Sequence, residues 1–161
     1  AASFTASMKG YAIICVVPPH LGRTCNTMSN TNETQELEIQ EPDTRVTLDD
    51  LMALIAKYCT ARDWDQFHTP KDLAIGATTE AGELLDIFRF KTPEDMKAML
   101  ADEKQREHIG EELSDVLFFI LRFSQLYGFD LQKAFYRKMA INAKKYPVEK
   151  VKGCNKKYTE Y

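Results

Sequence analysis

No stretch of this chain is apolar over the roughly 18 residues that a membrane span requires; YAIICVV at 11–17 is closed by Pro18 and Pro19, so a soluble protein is expected. Cysteine is scarce and unpatterned. Cys15, Cys25, Cys59 and Cys154 form no CxxC pair and have no histidine at zinc-ligand spacing, which argues against a disulfide scaffold and a structural zinc, and for free thiols in a reducing compartment. Acid is missing from the first 32 residues, which are rich in Ser and Thr and carry Lys9 and Arg23 as their thin basic complement. Residues 1–46 are therefore expected to be a flexible or targeting-like extension, with sequence translated upstream of Met28 as a further alternative, and no chemistry is sought there. No alternating strand pattern occurs after residue 46, which removes the β classes.

What is present fits one domain of ordinary globular composition: 161 residues, 44% hydrophobic and 28% charged. The net charge of −3 conceals an asymmetry, since residues 137–161 hold eight Lys/Arg against Glu149 and Glu160. Such a tail suits phosphates, but lysines late in a helical chain also complement the macrodipole, and the acidic body speaks against stable nucleic-acid binding.

Helix signals begin at Thr47. TLDDLMALIAKYCTARDW offers Thr47 as N-cap, Asp49 and Asp50 in the first turn, and Leu48, Leu51, Leu54, Ile55 and Tyr58 at amphipathic spacing. TPKDLAIGATTEAGELLDIFRF opens with Thr69 as cap and Pro70 in the first turn, and TPEDMKAML repeats the device with Thr92, Pro93 and a reciprocal Asp95. KQREHIGEELSDVLFFILRFSQLYG places Ile109, Leu113, Val116, Leu117, Ile120, Phe123 and Tyr127 on one broad face and stops at Gly128. DLQKAFYRKMAINAKKYP runs from an Asp130 cap to Pro147. The expected fold is all-α, a four-helix-bundle-like domain over 47–147 with a short extra helix, followed by a basic polar tail at 148–161.

Two of these helices each carry a pair of acids in apolar surroundings. Glu80 and Glu83 are three apart on one; Glu112 and Asp115 are three apart on another, with Glu111 and Asp115 as a competing register. A single such pair is ordinarily half of a solvated helix face. If the two helices pack antiparallel along these stripes, four carboxylates meet at one edge of the core, where like charges about 4 Å apart repel by roughly 4 kcal/mol at an effective dielectric near 20. Protons or a hard divalent cation must neutralise them. The di-iron pattern Glu-x-x-His is missing, because Gln105 precedes His108 and Asp65 precedes His68 at that spacing. Oxygen-only donors favour Mg²⁺, with Mn²⁺ as substitute, and a water activated by the cation is the simplest nucleophile, for phosphoryl chemistry.

The blocks RDWDQFHTPKDLAIGATTEAGELLDIFRF, EELSDVLFFILRF, KMAINAKKYP and KKYTE, in this order over about residues 47–160, resemble the MazG-like family of all-α nucleotide pyrophosphohydrolases, in its dCTP pyrophosphatase branch. The resemblance implies Mg²⁺-dependent cleavage of a deoxynucleoside triphosphate, dCTP or a modified dCTP, to the monophosphate and pyrophosphate by a homotetramer in a nucleotide pool of the cytoplasm, nucleus or mitochondrion. It implies Glu80, Glu83, Glu112 and Asp115 as metal ligands, which selects Glu112 over Glu111, with Asp86 as an outer partner. Lys138, Asn142 and Tyr146 match positions that face the nucleotide, and Lys156 and Lys157 a flap over the triphosphate. Trp64 falls in a block that lies at the base pocket of this family. Phe90 stands where relatives usually carry a second Trp, Phe119 where they often have Tyr, and Ile55 where the animal enzyme has His, so base preference is where this chain departs. A related enzyme preferring dUTP, or a non-catalytic cation-binding helical module, are the rival readings.

Overall fold

A computed structural model describes residues 39, 42 and 44–160. The anticipated extension at 1–46, with Cys15 and Cys25, thus falls largely outside the described residues. Six helices follow in order: α1 Leu48–Thr60, α2 Pro70–Phe88, α3 Pro93–Ala101, α4 Glu103–Tyr127, α5 Leu131–Lys145 and the one-turn α6 Val148–Val151. A single 3-10 turn, Asp65–Phe67, joins α1 to α2.

Local chemistry sets these boundaries, at Thr47, Thr69, Thr92, Gly128 and Asp130 as the sequence predicts and at Asp102 by a cap that it did not single out. Thr47 and Thr92 form reciprocal capping boxes with Asp50 and Asp95, and the Thr69 hydroxyl accepts from the Asp72 amide. The Asp102 and Asp130 carboxylates cap α4 and α5, while Gly128, at φ +68°, ends α4 in the left-handed conformation that glycine adopts without strain.

The frame of the molecule is the α2–α4 pair, with α1 and α3 laid against α4. The two long helices run antiparallel. His68, just before α2, meets Arg122 and Tyr127; Gly76 meets Phe119; and Glu80 meets Glu112 and Asp115. Gly76 permits this closeness, because a Cβ there would lie 2.2 Å from the Phe119 ring. Beside this seam Ile55, Cys59 and Leu121 are buried together, flanked by Leu51, Met52, Tyr58, Trp64, Phe118 and Leu131.

The broad apolar face expected on α4 is used only in part. Ile109 is buried, whereas Leu113, Leu117, Ile120 and Tyr127 are exposed; burial falls instead on Phe119, Leu121, Arg122 and Ser124. From Val116 to Phe123 the helix is apolar nearly all round, so α1 and α2 can cover one side and leave another bare. The helix α5 packs only slightly on the others and buries none of its residues, leaving Phe135, Tyr136, Met139 and Ile141 exposed. The polar tail is not wholly irregular: it contains α6, and Tyr158 returns to meet the Tyr146 ring edge-on at 5.9 Å.

Candidate metal and nucleotide site

Because α2 and α4 are antiparallel and in close register, the acids on the two helices face each other. One oxygen each from Glu80, Glu112 and Asp115 lies within 4.8 Å of the others. All three residues are partly buried, and Glu83, one turn along α2, is exposed. Glu83 is outside this tight set, yet its charge raises the proton affinity of all three. Burial is the largest cause for each. Glu80 is pushed up to about 7 by burial and then by Glu83, Asp115 and Glu112. Glu112 and Asp115 are raised by burial first and by Glu83 next.

The cluster lacks internal compensation. Glu112 Oε2 is buried without a hydrogen-bond partner, and its other oxygen stands 3.7 Å from His108 Nδ1. An orphaned buried carboxylate oxygen costs the desolvation of that atom, and a carboxylate has nothing to donate to its neighbours. Oxygen-only donors, converging charge and an unpartnered oxygen fit a hard divalent cation, which accepts the very lone pairs left over. Glu111, the competing register, points elsewhere: its side chain is largely exposed and lies 3.6 Å from His108. Asp86 is exposed and paired with Arg89 at 3.2 Å.

The other sequence-predicted residues are distributed around this cluster rather than gathered into it. Lys138 and Asn142 lie on α5 and Tyr146 at its end, and Lys138 lines an apolar groove with Met52, Leu121, Leu131 and Phe135. Lys156 and Lys157 are exposed in the segment after α6. Phe119 is buried against Gly76, one turn beyond Asp115, so its ring belongs to the α2–α4 packing. Ile55 is likewise a core residue. Phe90, just past α2, is 92% exposed at φ +62°, a backbone region bulky residues avoid, with the Arg89 guanidinium 5.1 Å above its ring. Trp64 is half-buried, its ring edge-on to Tyr58 at 5.6 Å and to His68 at 6.5 Å.

Sequence reasoning missed a buried polar network next to Trp64. The Arg122 guanidinium, only 1% exposed, donates to His68 Nδ1 at 3.0 Å, to Gln125 Oε1 and to Asp65. The Tyr127 hydroxyl donates to the His68 carbonyl at 2.9 Å. The one sequence signal was an arginine inside the apolar run FFILRF.

The MazG-like family model matches residues 75–161, more than half of the chain. The chain is 36% identical to human dCTP pyrophosphatase 1 over 114 residues, covering 71% of this chain and 67% of that protein. The mouse protein of the same name matches at the same identity and coverage. A crystal structure of a pyrophosphatase from Archaeoglobus fulgidus superposes with a TM-score of 0.59 at 28% identity, covering 67% of this chain and 99% of that one.

Proposed function

The chain belongs to the MazG-like family, and from that premise we propose that it is a nucleotide pyrophosphohydrolase that converts dCTP, or a modified dCTP, to the monophosphate and pyrophosphate. The observation that carries the reading is the convergence of one oxygen each from Glu80, Glu112 and Asp115, on two helices, beside a Glu112 carboxylate whose Oε2 is buried and unpartnered. Together with Glu83 these residues would hold the cation, Mg²⁺ by preference and Mn²⁺ as substitute. When bound, such a cation neutralises phosphate charge and lowers the pKa of water at the site.

The side chains do the rest. One carboxylate of the four takes the proton of the attacking water. Lys138, as a compact positive charge, and the Tyr146 hydroxyl hold phosphate oxygens, Asn142 holds a sugar or base edge, and Lys156 and Lys157 close over the triphosphate. Trp64 and the exposed Phe90 present aromatic faces to the base. The helical catalytic domain is residues 47–147, with 1–46 an extension and 148–161 a basic tail that contributes Lys156 and Lys157.

In the single chain the cationic residues lie on a helix that packs only slightly on the others, while the acids sit in the α2–α4 seam. The bare faces of α4 and α5 supply apolar surface for association, which supports a homotetramer whose sites combine residues of neighbouring subunits. Among the described residues no helix is long and apolar enough to cross a membrane, and the expected setting is a cytoplasmic nucleotide pool.

A panel of deoxynucleoside triphosphates with Mg²⁺, read by product identity, tests the proposal. Release of dCMP and pyrophosphate with dCTP preferred is expected. A preference for dUTP would displace the base assignment, and no product from any nucleotide would leave a cation-binding module.

A further inference from the structure

The buried Arg122 network has no part in the chemistry above, yet it grips both ends of the turn that carries Trp64. We infer that Arg122 is a positioning residue for the nucleobase, acting through Trp64; this rests on the reading of Trp64 as the base contact. Trp64 is the residue from which the Asp65–Phe67 turn starts, and His68 closes that turn. Arg122 donates to the Asp65 carboxylate at one end and to His68 Nδ1 at the other, and the Tyr127 hydroxyl holds the His68 carbonyl. A donor on Nδ1 fixes His68 as the neutral Nε2–H tautomer, in keeping with the fall in its proton affinity caused by burial and then by Arg122.

Stability alone gives little reason for this arrangement. Burying the Arg122 guanidinium costs its desolvation, which an ion pair to a half-exposed Asp65 does not fully offset, and what such a pair can supply is a fixed orientation. Planar guanidinium donors in a rigid fork suit that role, since one side chain sets two points of the turn at once. The turn is also connected to the acids. Trp64, Tyr58, Phe118 and Phe119 form a chain of edge-on aromatic contacts that ends one turn of α4 beyond Asp115. A tilt of the turn would therefore move the Trp64 face relative to the carboxylate cluster without touching a carboxylate.

Trp64 is the sole tryptophan of the chain, so intrinsic fluorescence reports on this turn alone. The test compares the wild type with Arg122→Met, Arg122→Lys and Asp65→Asn; the last alters a side chain that is 48% exposed, so it carries the test even where an Arg122 variant fails to fold. Each variant is expected to shift Trp64 emission and increase its quenching by acrylamide. KM for dCTP should rise about five- to tenfold, the lower end of what a lost base–aromatic stack costs because the ring is tilted rather than removed, with kcat changed less than about twofold. Inhibition by inorganic pyrophosphate, which has no base, should be unchanged. In a Trp64→Ala background, Arg122→Met should add no further rise in KM, as expected for residues acting in one unit.

If dCMP leaves wild-type Trp64 fluorescence unchanged, the base contact itself falls and the inference with it. If dCMP perturbs Trp64 in the wild type while Asp65→Asn and folded Arg122 variants keep the same emission and the same KM, the base contact stands and the clamp is refuted.

Discussion

Replacing Glu80 by Gln should remove activity and at the same time make the metal-free fold more stable, but only above mildly acidic pH. In the fold Glu80 is raised from the ordinary 4.5 to about 7 by burial and by its acidic neighbours. Between these values the unfolded chain has released the proton and the folded chain has kept it. The stabilisation from that retained proton is complete below about 4.5 and is lost as the pH rises to about 7. At about 1.4 kcal/mol for each tenfold change in proton affinity, the ceiling is roughly 3 kcal/mol. Glu80 is partly open to water, so screening reduces this to about 1–2 kcal/mol. For a domain of this size the corresponding rise in Tm is about 3–10 °C. The assay is thermal unfolding in EDTA of wild type and Glu80→Gln at pH 4.5, 6 and 8. The curves should coincide at the lowest pH, and the variant should melt higher at pH 8. His68, held neutral by burial, costs stability as the pH falls below its ordinary 6.5, but it is common to both proteins and cancels in the difference. Adding Mg²⁺ at pH 8 should raise the wild-type Tm and leave the variant nearly unmoved. A variant less stable than wild type at pH 8, or a difference independent of pH, would show that Glu80 carries no repulsive burden in the fold.

Three further outcomes are expected. Glu83→Ala should lower kcat at least about a hundredfold while circular dichroism shows the helices intact, because an exposed acid is lost from the edge of the cluster and repulsion is relieved. Gly76→Ala places a Cβ 2.2 Å from the Phe119 ring and should cost about 1–3 kcal/mol in chemical denaturation, with part regained when Phe119→Leu is added. Phe135→Glu on the bare face of α5 should lower the mass measured by light scattering below that of the proposed tetramer, which the wild type is expected to show, since a charge would replace an apolar side chain that is 66% exposed in the single chain.

The features legible in the sequence were those that depend on neighbours within one turn. Thr47, Thr69, Thr92 and Asp130 announce helix starts because a cap needs only the residues that follow it, and the acid pairs were visible because i, i+3 spacing sets a face whatever the tertiary structure. Arg122 with His68 and Asp65 was invisible for the opposite reason: the partners are 54 and 57 residues away, and nothing in FFILRF tells where its arginine will turn. The same holds for Gly76, whose need for smallness arises only once Phe119 is laid against it. Periodicity overstated the core stripe of α4, since an apolar face does not say whether its cover comes from the same chain; Leu113 and Leu117 remain exposed here. Nor did local pattern foretell the left-handed backbone of Phe90, which no glycine or asparagine marks.

The central claim is that carboxylates from α2 and α4 take one cation between them. Anomalous diffraction from crystals grown with Mn²⁺ and dCMP tests it most directly. Manganese is expected bound jointly by Glu80, Glu112 and Asp115, with Glu83 at its edge. Manganese held by one helix alone, or bound away from the α2–α4 seam, would contradict it.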